Sequence, residues 1–414
     1  MRWYLFVLVA VVAALPSFAQ DMSMEGMQAA PPGMLDLSPS WSADGTSVLF
    51  SRVSASTGND WTIVPIASPM SMYGEGSGMV GDPGMGSEGM VQAQPYYQFE
   101  GLYRVPLTGG QPTKVAAGRA LIMDRSRVGV AVAFQGFGTR QYQSWGVYGM
   151  DLSGANSTRW YPAILNWVRV SPAGDQFVIP YEQGKSLVFF PARRDSTRNS
   201  GFCPTLDLAR PAAFTADGSG VWVVAQDGQA QALGIGKANR QVTPIVRGVG
   251  AGSFAVSVPN SQLCAASIKP APGANPWPVA LWPGDQTGVY LYDDQGNEQR
   301  KLTSAYATAM EASPDGKFVA FMWGTKAPYS LSVAPVDGTP IRRVAANLAG
   351  APGGSKPFCW SPDSKRLVFG GVDEAGNGVF VTDIDTGDVV RISQVPDTSK
   401  KPTPPQPQPA GPRG

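Results

Sequence analysis

The chain has 414 residues, 43% hydrophobic and 15% charged, with 32 basic and 31 acidic side chains and a formal net charge of +1. Balanced, well-mixed charge gives no electrostatic footprint for nucleic acid or an anionic membrane surface. Histidine is absent, which excludes Ser-His-Asp and Cys-His nucleophile systems and histidine-ligated zinc, copper or non-haem iron.

The N-terminus reads as an export signal. Met1-Arg2 precedes an apolar run from Trp3 to Leu15, followed by Pro16-Ser17-Phe18-Ala19. Ser17 and Ala19 fit the small residues of a signal-peptidase site, so residues 1–19 are expected to be a cleaved signal peptide. The apolar core falls short of the ~20 residues that cross a bilayer. No Cys stands directly after it, as a lipoprotein signal requires, and no later segment is long and apolar enough to span. The mature chain is therefore expected to be periplasmic or secreted, without a transmembrane segment, and to open with a short segment, 20–34.

A turn-and-strand phrase then recurs: WSADGTSVLF (41–50), VSPAGDQFVI (170–179), FTADGSGVWVV (214–224), ASPDGKFVAF (312–321) and WSPDSKRLVF (360–369). Ser-Pro-Asp-Gly suits a tight turn, because Pro presets φ, Asp bonds its own backbone and Gly takes the strained position. The following runs are apolar at odd and even positions alike, the pattern of a strand buried on both faces. A second hairpin closes on a polar turn, as in DLSGA (151–155), DDQGN (293–297), VDGTP (336–340) and DIDTGD (383–388), and a last strand follows, such as QRKLT (299–303) or VVRIS (389–393).

Self-similarity at this period marks a repeat architecture, and four strands per unit is the recipe of a β-propeller blade. The turn Asp residues set the count. Asp175 to Asp217 and Asp315 to Asp363 span 42 and 48 residues, one unit each. Asp217 to Asp315 spans 98 and Asp44 to Asp175 spans 131. Those gaps leave room for degenerate turns near Asn260 and Arg127. The fold expected is all-β, a propeller of seven four-stranded blades over residues 35–393, with six or eight as the alternatives.

Three segments break the repeat. Residues 54–95 form an insertion whose stretch 70–90 is rich in Gly and Met; nine of the fourteen Met lie between positions 22 and 90. Thioethers could serve a soft Cu(I) site. With irregular spacing and no Cys or His to help, a rim insertion is the reading preferred. NPWPVALWPGDQ (275–286) holds two indoles, Trp277 and Trp282, in a Pro frame, and these are the candidate binding residues; Trp61 and Trp145 also fall in loop-like text. Residues 394–414 form a Pro-rich tail, a polyproline-like spacer.

The repeated Asp residues are assigned to turns rather than to chemistry, so no catalytic, cofactor or metal residues are expected. DIDTGD (383–388) lacks the full ligand series of a calcium loop. Cys203, Cys264 and Cys359 are an odd set, and the last two lie in apolar strand text, where Cys acts as a small core residue.

WSPDSKRLVFGG (360–371) followed by GVFVTDIDTGDVVRIS (378–393) resembles the WD-like repeat of the TolB-type propeller family, and ASPDGKFVAF and WSADGTSVLF match the same pattern. The resemblance covers about residues 35–393. It implies a periplasmic protein of a cell-envelope complex that binds an outer-membrane lipoprotein. The chain departs from the family in two ways: its first repeat turn, at Asp44, leaves no room for an α/β domain ahead of the propeller, and the family has six units. The function expected is that of an exported, non-enzymatic scaffold contacting another envelope or periplasmic protein. The alternative is a carboxylate-dependent hydrolase or lyase acting on saccharide or peptide, which needs carboxyl groups converging near the axis.

Overall fold

The computed structural model describes residues 33–56, 96–117, 119–135, 146–153, 156–162, 167–181, 186–196, 198–204, 213–227, 230–250, 252–269, 287–324, 328–349 and 356–393. Within them the repeated phrase folds as its chemistry requires. In ASPDGKFVAF, Ser313 Oγ donates to Asp315 Oδ1 at 2.6 Å and accepts the Phe318 N–H at 3.0 Å, while Asp315 Oδ1 accepts the Lys317 N–H at 3.0 Å. Gly316 sits at φ +74°, and a Cβ there would collide with the Pro259 carbonyl of the neighbouring repeat. Only Gly tolerates both the left-handed backbone and that approach. The strand Phe318–Trp323 follows with its four central residues buried. Having two apolar faces, it needs a packed layer on each side.

All regular elements among the described residues are strands. They make five sheets of four antiparallel strands and one of eight. The eight-stranded sheet is two four-strand runs, 307–348 and 358–391, joined by the single pair Leu348–Gly371. In chain order the described strands thus form meanders over 33–117, 119–161, 169–204, 213–247, 254–303, 307–348 and 358–391, called first to seventh below. The degenerate turns take their own solutions. Asn260 occupies the left-handed region at φ +58°. Ser126 Oγ accepts the Val128 and Gly129 N–H groups at 3.2 and 3.1 Å.

Each junction between successive meanders has its own apolar packing. Leu49 and Leu102 of the first meet Ala120, Ile122, Val130 and Val132 of the second. A single cluster runs from Leu121 and Val147 through Phe177 and Phe189 to Phe214 and Val221, joining second, third and fourth. Trp222 and Leu233 meet Ala266 and Tyr290, Val289 meets Phe321, and Leu331 and Val333 meet Trp360 and Phe369. The last junction closes on the first: Trp41, Val48 and Phe50 pack with Cys359, Val368, Val379 and Val381. The first strands of successive meanders also touch one another all the way round, including Gly33–Trp41 against Phe358–Trp360. They therefore line the centre of a ring of face-packed sheets, a β-propeller.

Closure comes from packing and polar contacts between sheets. Gly33–Trp41 pairs within its own sheet, with Ser47–Ser56, and does not complete the seventh meander. The fully buried Trp41 donates its Nε1–H to the Cys359 carbonyl at 3.1 Å. Beside it, Asp36 and Arg52 form a buried fork: Arg52 Nε and Nη2 donate to the two carboxylate oxygens at 2.7 and 2.8 Å. Ser393, just past the last strand, donates to Asp36 Oδ2 at 2.8 Å. The Arg52 guanidinium also lies 5.3 and 4.9 Å from the ring centroids of Phe50 and Tyr103, which stack on one another beside it.

Candidate functional site

The repeat turns gather on one face. Gly45 lies against Pro362, the Arg127 N–H donates to the Pro172 carbonyl at 3.0 Å, Gly218 lies against Pro172, and the Asp315 N–H donates to Ser364 Oγ at 3.0 Å. The turn carboxylates are spent locally. Asp44, Asp217 and Asp315 each accept a Ser or Thr hydroxyl two residues earlier at 2.6 Å and an N–H two residues later at 3.0 Å. Asp175 accepts Ser171 Oγ at 2.6 Å, and Asp363 accepts Ser361 Oγ. The Ser42 and Thr46 hydrogen bonds bring the Asp44 carboxyl down to about 2. Asp383 likewise accepts the Asp385 and Thr386 N–H groups. These are turn-holding roles.

Other charges converge where the central strands end beneath this face. Asp124 and Arg125 close the second meander's first strand, Arg119–Arg125; Glu311 lies on the sixth meander's, Ala307–Ala312; Lys356 just precedes the seventh's. Lys356 Nζ is 2.8 Å from Asp124 Oδ1, and Arg125 Nη2 is 3.6 Å from Glu311 Oε1. Second and sixth meanders are not neighbours in the ring, so the Arg125–Glu311 pair reaches across its centre. Arg125 also donates to the Trp360 carbonyl at 3.0 Å, and Glu311 accepts the Trp360 N–H at 3.3 Å. Asp124 is 3% exposed, and burial by itself would raise its carboxyl. The charges of Lys356 and Arg169 and the Val170 N–H outweigh that and hold it below the ordinary carboxylate range.

The thiols are inert by the same logic. Burial pushes Cys203 up to about 11 and Cys264 and Cys359 up to about 12. None is disulfide-bonded, and a neutral buried thiol is neither nucleophile nor good metal ligand. Among the described residues no three His, Cys, Asp or Glu side chains gather as a metal site.

A second concavity lies at the outer edge of the ring. A cleft of about 620 Å³ is lined by Tyr148, Ser157, Thr158, Arg159, Arg194 and Asp195. It lies between the outermost strand of the second meander, Thr158–Tyr161, and the loop leaving Ser186–Pro191 of the third. Arg159 Nε donates to Asp195 Oδ1 at 2.6 Å. Elsewhere, two exposed aromatics, Tyr181 and Phe202, meet edge-on at 5.6 Å.

The residues singled out from sequence fall elsewhere. Trp277 and Trp282, along with Trp61 and Trp145, lie outside the described residues, as do the signal segment, most of the insertion 54–95 and the Pro-rich tail. The strand before the insertion runs to Ser56, pairing with Tyr96 beyond it. The axial charges and the edge cleft were not singled out. Their partners are far apart in sequence, and only the ring brings them together.

No protein-family model matches the chain, and no curated protein sequence matches it. Solved structures do resemble it. The β-propeller domain of the trilobed protease from Pyrococcus furiosus, described as having an open velcro topology, aligns with TM-score 0.53 at 10% identity over 88% of this chain and 97% of that one. The acylaminoacyl peptidase of Pyrococcus horikoshii aligns with TM-score 0.53 at 10% identity, over 87% of this chain and 53% of that one. TolB from Acinetobacter baumannii aligns with TM-score 0.38 at 14% identity; the match covers 70% of this chain and 58% of TolB. The two alignments at TM-score 0.53 establish a propeller fold and, at 10% identity, nothing finer. Among the described residues no helix is long and apolar enough to cross a membrane.

Proposed function

We propose that this chain is an exported, non-enzymatic propeller that binds another protein or component of the cell envelope through the face built by its repeat turns. The observation that carries this reading is the state of the axial carboxylates. A hydrolase or lyase working with carboxylates alone needs one of them kept protonated and poised to donate. Asp124 is instead held ionised by Lys356 and Arg169, and Glu311 is tied to Arg125 and the Trp360 backbone. With no histidine and with thiols that stay neutral, the centre of the ring holds sheets together.

The turn face supplies a surface for contact. Short loops from every meander meet there, a broad site made of many small segments. Val128, 63% exposed, displays an apolar side chain among them. Export rests on the N-terminal signal pattern and an envelope setting on the TolB-type repeat, both read from sequence. The test is affinity capture of the mature protein with cross-linking in envelope extract, repeated with Val128→Glu. A specific partner lost in that variant is expected. Recovery of nothing specific, or capture indifferent to Val128, refutes the reading.

A further inference from the structure

The edge cleft stands apart from the turn face and from everything derived above, and its chemistry is one-sided. Two guanidinium groups, Arg159 and Arg194, face a single carboxylate, Asp195. That carboxylate is engaged: Arg159 Nε donates to Oδ1 at 2.6 Å, and Oδ2 lies 3.9 Å from Arg194 Nε. Among the lining residues, guanidinium groups outnumber carboxylates two to one. Arg194, whose side chain is 86% exposed, carries its planar fork at the cleft's edge, and such a fork matches a carboxylate with two parallel hydrogen bonds. Around the cations are three hydroxyls, Tyr148, Ser157 and Thr158, each able to donate and to accept. Burial holds the Tyr148 phenol above its ordinary range, so it keeps its proton at neutral pH.

The frame is preorganised. The Asp195 and Ser196 N–H groups donate to the Arg159 and Trp160 carbonyls, each at 2.8 Å. Ser196 Oγ donates back to the Pro191 and Arg193 carbonyls at 2.6 and 3.0 Å, and Trp160 stacks on Phe177 at 5.6 Å. The same bonds decide between ligand classes. They use the outward carbonyls of Arg159 and Trp160, so an extended peptide finds those positions of the strand already occupied and cannot add there as a further strand. A compact ligand suits the space, since about 620 Å³ is within the range of small-molecule sites.

We propose that this cleft binds a carboxylate-bearing sugar of about hexuronate size, its carboxylate on the Arg194 fork beside Arg159 and its hydroxyls on Tyr148, Ser157 and Thr158. The experiment is isothermal titration of the full mature chain with D-galacturonate and with D-galactose, its uncharged counterpart. Galacturonate is expected to bind about 10-fold or more tighter than galactose, as one charge-assisted pair implies. Arg194→Ala should weaken it by about 10-fold while leaving the melting temperature unchanged, and Tyr148→Phe should weaken both sugars about equally, by a few-fold. Equal affinity for the two sugars, no binding of either, or galacturonate binding unaffected by Arg194→Ala overturns the proposal. A triglutamate peptide bound as tightly as galacturonate overturns the sugar assignment. Partner capture on the turn face is a separate measurement, so either proposal can fail alone.

Discussion

Replacing Asp36 with Asn tests the buried ion pair of the first meander beside the closing junction. Asp36 is 3% exposed and Arg52 5%, and the two share a forked pair of hydrogen bonds at 2.7 and 2.8 Å, with Ser393 Oγ as a third contact at 2.8 Å. The substitution keeps shape and removes charge. Arg52 then remains buried against the stacked Phe50 and Tyr103 rings without a counter-charge, and one amide N–H₂ faces its donors. Removing one partner of a buried pair typically costs about 3–5 kcal/mol. One amide oxygen can still accept, so the lower end applies, and a loss of about 3 kcal/mol shifts the folding equilibrium roughly a hundredfold. The assay is urea unfolding followed by tryptophan fluorescence, with the midpoint compared at constant slope. Adding Arg52→Met to Asp36→Asn should recover a good part of the loss, because Met removes the stranded charge and packs against the same two rings. A loss under about 1 kcal/mol for Asp36→Asn, or a double variant worse than the single, refutes the reasoning.

Trp41→Phe should cost about 1–3 kcal/mol, measured the same way, because it strands the buried Cys359 carbonyl and leaves a void. Asp315→Ala should cost about 1 kcal/mol by losing the Ser313 and Lys317 hydrogen bonds, without altering capture of a partner by the Val128 region. For acid stability, Asp44, Asp124, Asp217 and Asp363 all have folded-state carboxyls depressed below the ordinary value near 3.8. A depressed carboxyl contributes stability that is fully present above its unfolded value and lost as pH falls through its folded one. Melting temperature should therefore hold down to about pH 4 and fall steeply toward pH 2, and Asp44→Asn should flatten that fall. Cys203, Cys264 and Cys359 should resist a thiol reagent at pH 8 in the native protein and all react in denaturant, since burial holds them at about 11 to 12.

The fold was legible because its unit is local. Ser, Pro, Asp and Gly at fixed offsets force a turn within five residues, and the strand after it announces two buried faces by its composition. Even the worn copies were readable: Asn260, at the place Asp holds in most other turns, takes a left-handed φ, and Ser126 caps its own turn. The charged centre was not legible. Asp124 and Arg125 sit in the degenerate DRSRVG turn, where nothing marks them, and their partners Lys356 and Glu311 belong to meanders at the other end of the chain. The cleft escaped notice for a similar reason. Asp195 reads as a loop acid, and only the turn at 193–196, laid along the neighbouring sheet, brings it to Arg159. Sequence reasoning favoured conspicuous residues, the Trp pair above all, whereas the charges on view gather through ordinary-looking positions.

The junction between the first and seventh meanders has a mechanical meaning. Most neighbouring sheets in this ring are tied by covalent chain as well as by packing. There, among the described residues, the Trp41 Nε1–H on the Cys359 carbonyl, the Ser393 hydroxyl on Asp36, a parallel backbone bridge between Gly110 and Ser393 and an apolar layer join the two sheets. Under tension the ring opens like a bracelet at its clasp. Because no covalent chain crosses the clasp, a circular permutant that joins these ends and cuts another junction moves the opening point without changing the ring.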